Sequence, residues 1–315
     1  MSKTWGIEQV WNETLVQQQR VTEPRDRIYA SEIGKNYWER YQKMMGVQPT
    51  EKYENRILRK FAAGNWFEAM IINVFKQIGI FVSSNDRLTI PANDKHLEIT
   101  VKPDLIAGGQ NDWDEARKNL EASGLEDIMK EIGFNLIDEF EKKFPGGLEE
   151  KLLEIKTVNS QVFWAKKDYL EEAYPFHTMQ CYTGLKQTGI KDGVVVYISK
   201  DDLTMKEFPL TLGADDLEER WNKDVEEMTK FYLNKKEPPK PESVVFDKRK
   251  KYKFTKNKEK YATEGAYCTN WEVDWSSYFT LLTGKDHKAW EIGCRPEVNK
   301  LNAELKIKQF PNLFK

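Results

Sequence analysis

No stretch of this 315-residue chain approaches the roughly 18 to 20 apolar residues that a membrane-spanning helix needs. That excludes the helical membrane class, and no membrane partner is expected. Met1 to Gln19 also lacks a basic start followed by an apolar run, the mark of a secretory leader, so a cytoplasmic protein is expected. Cysteine is scarce: Cys181, Cys268 and Cys294 are odd in number and include no CxxC spacing. A disulfide framework is therefore not expected, a four-cysteine metal site cannot form within one chain, and the three read as reduced thiols. Gly and Pro are not in excess and no internal repeat is present, so neither a fibrous nor a low-complexity chain is at hand. With 32% charged and 12% aromatic residues, the composition is that of a folded, enzyme-sized globular protein of one large or two modest domains.

Net charge is also small, at −2, and does not by itself point to nucleic acid. Its distribution is uneven. From Lys236 onward, 17 Lys and Arg stand against 11 Asp and Glu, so the negative excess belongs to the preceding residues. Lys248, Arg249, Lys250 and Lys251, followed by Lys253, Lys256, Lys258 and Lys260, are interleaved with Tyr252, Phe254 and Tyr261. Such a run suits phosphates with bases stacked on the rings, or else a solvated loop; both readings stand.

Apolar periodicity organises the rest. The segment to about Thr50 reads as helical, with Ser31 as N-cap of a run from Glu32 to Met45. Glu54 to Gly79 carries Leu58, Phe61, Phe67, Ile71, Val74 and Phe75 at helical spacing, and Gly79 closes it. Short strands follow at Ile80 to Val82, Leu88 to Ile90 and Leu97 to Val101. Residues from about 110 to 147 read as a helical insertion, two acidic helices separated near Gly124 or Gly133 and stopped by Pro145-Gly146-Gly147. That insertion either arches over a site or forms a surface or oligomer contact. Beyond it come a strand at Leu152 to Val158, a helix from Trp164 through the Gly184 region, a strand at Gly193 to Ile198 buried on both faces, a strand at Met205 to Leu212, and a charged helix from Asp215 to Asn234. Pro238-Pro239 marks the best boundary. The expectation is α/β: a mixed central β-sheet flanked by helices, residues 1 to 235, then a basic and aromatic segment, residues 236 to 315, packing on that core.

Chemistry concentrates at Gly64 to Glu68 on the long helix, Lys102-Pro103-Asp104 at a strand end, and Glu154-Ile155-Lys156 on a strand. In a strand, residues two apart share a face, so Glu154 and Lys156 project together while Ile155 points into the core. A Glu-x-Lys pair on a strand is more often a surface ion pair than a catalytic one. Here its neighbours, Leu152, Leu153, Ile155 and Val158, predict a mostly buried strand, where unpaired charge is expensive. Phosphodiester hydrolysis needs a hard divalent cation, carboxylate oxygens to hold it and a positioned water. Asp104 and Glu154 supply oxygens, Lys156 can orient the water and hold the phosphate, with a lysine pKa lowered near a dication suiting it to that role, and Glu68 completes the pocket with Gly64 allowing close packing of its helix.

Taken in order, Gly-x-x-x-Glu on a helix, Pro-Asp after a strand, Glu-x-Lys, then a helix with Gln180 and Tyr182, this chain resembles the RecB-like branch of the PD-(D/E)XK nucleases. Its relatives there are CRISPR-associated RecB-like and phage recombination exonucleases. The resemblance covers roughly Tyr29 to Ile198. It implies a restriction-endonuclease-like core, Mg²⁺ or Mn²⁺ held by Asp104, Glu154, the Ile155 carbonyl and Glu68, and Lys156 as catalytic lysine. Gln180 and Tyr182 would contact DNA, with Lys102, His177 and the basic run Lys248 to Lys251 as further contacts. An exonuclease acting on DNA ends in recombination, repair or phage DNA metabolism is implied, in a bacterial or phage-infected cytoplasm. A second copy or a recombination protein is the implied protein partner. An inactive DNA-binding or recruitment subunit is the alternative. The chain departs from the family in three ways. Phe67 stands where many relatives carry a ligating His. Tyr182 follows Gln180 by two residues, not four. Val273 and Ser276 stand where iron–sulfur members have cysteines, so no cluster is expected; packing by Trp271, Trp275 and Tyr278 would tie the C-terminal segment to the N-terminal helices instead.

Overall fold

The computed structural model describes residues 6–17, 21–109, 112–160, 170, 172–240 and 276–284. The chain divides into two compact units, one of residues 1–25, 35–55 and 230–315, the other of residues 26–34 and 56–229.

The first unit contains α1 (Ile7–Gln17), α2 (Tyr37–Met44) and a short α8 (Phe279–Thr283). Ser31 is not the cap of α2: it lies in a 3₁₀ turn, Ala30–Glu32, directly after strand β1 (Arg27–Tyr29). Extended pairing of β1 with a later strand keeps those residues out of the helix, and Asn36 caps instead, its side chain accepting from the Glu39 N–H at 2.8 Å. Tyr278 is buried edge-on against Trp38, ring centroids 6.3 Å apart, and its hydroxyl donates to the Val47 carbonyl at 2.9 Å. Ser276 Oγ donates to Glu39 at 2.6 Å. The expected aromatic tie between late and early residues thus exists at Tyr278, while Trp271, Trp275 and the basic run Lys248 to Lys251 lie outside the described residues.

The second unit holds the sheets. α3 (Asn55–Gln77), whose first residue belongs to the other unit, runs as expected. β2 (Phe81–Ser83), β3 (Leu88–Ile90), β4 (Glu98–Val101) and β5 (Leu105–Ala107) follow it. Then come α4 (Trp113–Glu121), α5 (Asp127–Lys143), β6 (Lys151–Val158), α6 (Pro175–Thr188), β7 (Asp192–Ser199), β8 (Met205–Thr211) and α7 (Asp215–Leu233), which ends in the first unit. One sheet has the order β1-β4-β3 and the other β2-β5-β6-β7-β8. β6 and β7 pair in parallel and the remaining neighbours of the larger sheet antiparallel. The mixed central sheet expected from the sequence is what forms, and β7 is buried on both faces.

Alternation on β6 sends Ile155 and Leu153 toward α3. There they join Ile72, Leu105, Ala107, Val194, Val196 and Ile198 in one apolar cluster, with Phe67, Ile71 and Phe75 packed against it. The insertion breaks at Gly124. Gly133 is instead an inside position of α5, where a Cβ would fall 2.6 Å from Leu120 Cδ2, so its lack of a side chain lets α5 lie close to α4. These helices bury Trp113, Ala116, Leu120 and Ile137 against Ile78 and Ile80, where α3 leads into β2. The helix expected from Trp164 is described only from Pro175, which occupies its first turn with Tyr174 as N-cap; proline fits there because the first-turn N–H groups have no intrahelical partner.

Candidate active site

The site arises from one register. β5 pairs antiparallel with β6 through Leu105↔Leu153 and Ile106↔Leu152. Carried one residue beyond β5, that register sets Asp104 opposite Glu154. Pro103 precedes Asp104 and cannot donate to a ladder, so the chain turns into β5 just where the carboxylate is needed. Asp104 Oδ2 accepts the Ile155 N–H at 2.8 Å and the Lys156 ammonium at 3.3 Å. Lys156 Nζ also ion-pairs with Glu154 Oε1, although that oxygen has no hydrogen-bond partner of acceptable geometry.

Burial makes this cluster tense. Glu154 is 1% exposed, and desolvation, followed by the charge of Asp104, pushes its carboxyl well above the usual range. Desolvation also works against the Lys156 ammonium, but Glu154 and Asp104 outweigh it and raise its pKa above that of an ordinary lysine. The lowered lysine pKa considered from sequence is therefore not the state of the protein by itself: two carboxylates hold the proton on. Glu68, on α3, has its carboxyl raised by burial and by Asp104, and its Oε1 accepts from Asn85 Nδ2 at 2.8 Å. Gly64, one turn earlier, lets α3 approach β6, since a Cβ there would stand 3.2 Å from Thr157 Oγ1.

A cavity of about 290 Å³ gathers Glu68, Asp104, Lys102 and Gln180, joined by Asn85 and Arg87. Residues from three separate sequence regions are thus brought to one place, as expected for Glu68, Asp104, Lys102 and Gln180. Asn85 and Arg87 were not anticipated. Asn85 sits at φ 61°, a conformation asparagine tolerates better than most side chains, and its N–H donates to the Pro103 carbonyl at 2.9 Å. The Ser-Ser-Asn-Asp run ahead of β3 was the available signal. No residue of the insertion lines the cavity, so an arch over it is not what these helices form.

Other expected contacts lie elsewhere. Tyr182 is fully buried; its hydroxyl donates to Glu218 at 2.6 Å and accepts the Gly213 N–H. Burial and Glu218 push that hydroxyl up to about 12. The two-residue spacing explains this: Tyr182 lies about 200° around the helix from Gln180 and faces α7 instead of the cavity. Tyr182→Phe is expected to lower stability by about 1 kcal/mol and to leave DNA binding unchanged, which thermal melts beside fluorescence anisotropy check. His177 belongs to an aromatic group, its ring 4.3 Å from Phe176 and its Nδ1 2.7 Å from Tyr197 Oη. Phe67 packs in the apolar cluster, so no ligand replaces the family histidine at that position.

The donor chemistry fits a hard divalent cation: buried carboxylates crowd one another, and an added positive charge would relieve both raised pKa values. As they stand, no three His, Cys, Asp or Glu side chains among the described residues are close enough together to hold a metal ion. The Lys156 ammonium sits between Asp104 and Glu154 in that role.

No protein-family model and no curated protein matches the chain. Among solved structures it is similar to the crystal structure of SSO0001, at 13% identity and a TM-score of 0.42 over 75% of this chain and 89% of that one. It is also similar to LHK-Exo in complex with dAMP, at 13% identity and a TM-score of 0.41 over 73% and 94% of the two chains. For the alkaline exonuclease LHK-Exo from Laribacter hongkongensis the identity is 13% and the TM-score 0.38, over 72% and 97%. Likeness at this level decides nothing about this chain, whose site stands on its own residues. No helix among the described residues is long and apolar enough to cross a membrane.

Proposed function

We propose that this chain is a Mg²⁺- or Mn²⁺-dependent deoxyribonuclease, an exonuclease hydrolysing phosphodiester bonds at DNA ends in recombination, repair or phage DNA metabolism. The observation that carries the reading is the meeting of Asp104, Glu154 and Lys156 across one strand register, beside a cavity shared with Glu68 and Gln180. The PD-(D/E)XK resemblance supplies the reaction class and the preference for ends.

Asp104, Glu154, the Ile155 carbonyl and Glu68 would hold the cation, which when bound supplies positive charge to the scissile phosphate. Lys156, kept protonated by its carboxylates, grips a phosphate oxygen and orients the attacking water. Gln180 and Lys102, on the cavity wall, position the strand. Burial of Glu154 keeps bulk water from screening these charges.

A second reading, a nuclease-fold DNA-binding or recruitment subunit without catalysis, is favoured by the absence of a three-ligand group among the described residues. Calorimetric titration of Mn²⁺ separates the two. Catalysis requires saturable binding that Asp104→Asn removes; heat unchanged by that substitution, or no binding at all, supports the second reading.

A further inference from the structure

The cleft continues past the carboxylates along the amino-terminal half of α3. Residues three, four and seven apart share a helix face, so Phe61, Gly64, Asn65 and Glu68 form one strip. Phe61 lies seven residues, roughly 10 Å at ~1.5 Å per residue, before Glu68. It is a large apolar ring left 53% exposed. The adjoining edge of β6 is open on this stretch: β5 pairs with it only as far as Leu153.

Cations flank that ring. Lys200 follows β7, and its N–H donates to the Val158 carbonyl at 2.9 Å, which fixes it at the end of β6, two residues beyond Lys156. Its ammonium donates to the Lys60 carbonyl at 2.9 Å, so Lys200 lies against the turn of α3 that carries Phe61. Burial and the positive charge of Lys60 hold the Lys200 pKa below that of an ordinary lysine. The neighbouring carboxylate, Asp201, accepts the Ser160 N–H at 2.8 Å through Oδ2. Two lysines crowded together beside an exposed aromatic ring match the chemistry of a polynucleotide strand, phosphate on the cations and base on the ring.

We propose that Phe61, Lys60 and Lys200 form a track for single-stranded DNA leading away from the cleft, Phe61 stacking one base while the lysines hold the adjoining phosphates. The track rests on the nuclease reading for its direction, toward Glu68, but not for its binding chemistry. Stacking on any base makes it tolerant of sequence. A strand reaching both Glu68 and Phe61 spans more than one nucleotide, so the track serves long strands and not the shortest products.

Anisotropy of fluorescein-labelled (dT)20 on the full chain in EDTA reads the track without cleavage. Phe61→Ala is expected to weaken binding about tenfold or more, with Phe61→Tyr restoring it. The Lys60→Gln/Lys200→Gln double variant is expected to weaken binding about tenfold and to reduce the slope of log K against log salt by about one. Cleavage of a dinucleotide, too short to reach Phe61, is expected to be unchanged in these variants. Binding of (dT)20 within twofold of wild type in Phe61→Ala and in the double variant would overturn the track while leaving the nuclease reading intact, as would a wild-type chain that does not bind (dT)20. Binding lost in the variants of a wild type that cuts nothing would keep the track and end the nuclease reading.

Discussion

Glu154→Gln is expected to reduce metal-dependent DNA cleavage on the order of 10³-fold or more while leaving the melting temperature unchanged or higher. Activity falls because a neutral amide is a poor ligand for a hard cation and no longer supports the charge on Lys156. Stability holds because the wild-type carboxylate is 1% exposed and stands against Asp104, which together with burial raises its pKa. Removing a desolvated charge whose neighbour is also negative relieves that tension. Lys156 retains Asp104 Oδ2 at 3.3 Å as a partner. Parallel measurement of nucleotide release and thermal unfolding checks this. A purely structural ion pair would give the reverse, with cleavage kept and the midpoint several degrees lower. Sites shaped for chemistry commonly gain stability when their charges are removed.

Lys156→Ala is expected to destabilise the chain by about 3 kcal/mol or more in EDTA at pH 8, since two carboxylates would then be left without their counter-charge. The loss is smaller near pH 5. A carboxyl whose folded-state pKa is raised contributes stability that is present below the unfolded value and is lost as pH rises through the folded one; Glu154 is raised, so acid neutralises it and relieves the variant. Mn²⁺ is expected to restore much of the midpoint, at about 2.7 kcal/mol for a concentration 100 times the dissociation constant. Differential scanning calorimetry at the two pH values, with and without Mn²⁺, reads all of this. A midpoint insensitive to both pH and metal would show that Asp104 and Glu154 do not share a field.

What the sequence revealed and what it hid follow from the range of the forces involved. Alternation in Leu152 to Val158 displayed β6 and which of its residues share a face, because a period of two is local. The facing of Asp104 and Glu154 was legible only as a motif, since it depends on an antiparallel register set across fifty residues. Asn85 and Arg87 were missed because a loop reaches the cavity by the path of β2 and β3, not by any periodicity of its own. Tyr182 was assigned to DNA from its nearness to Gln180, but the helical twist carries it to Glu218 on α7. Ser31 satisfied the composition of a cap, and the pairing of β1 with β4 then moved the helix start to Asn36. The basic run Lys248 to Lys251 stays an expectation from sequence.

The central claim is that Asp104, Glu154 and Lys156 cut DNA with the aid of a divalent cation. Release of nucleotides from end-labelled single- and double-stranded DNA tests it most directly, in Mg²⁺, Mn²⁺ or EDTA, for wild type, Glu154→Ala and Lys156→Ala. The account predicts digestion from the ends that requires metal and disappears in both variants. Intact DNA under every metal, with a folded wild-type protein, would contradict it.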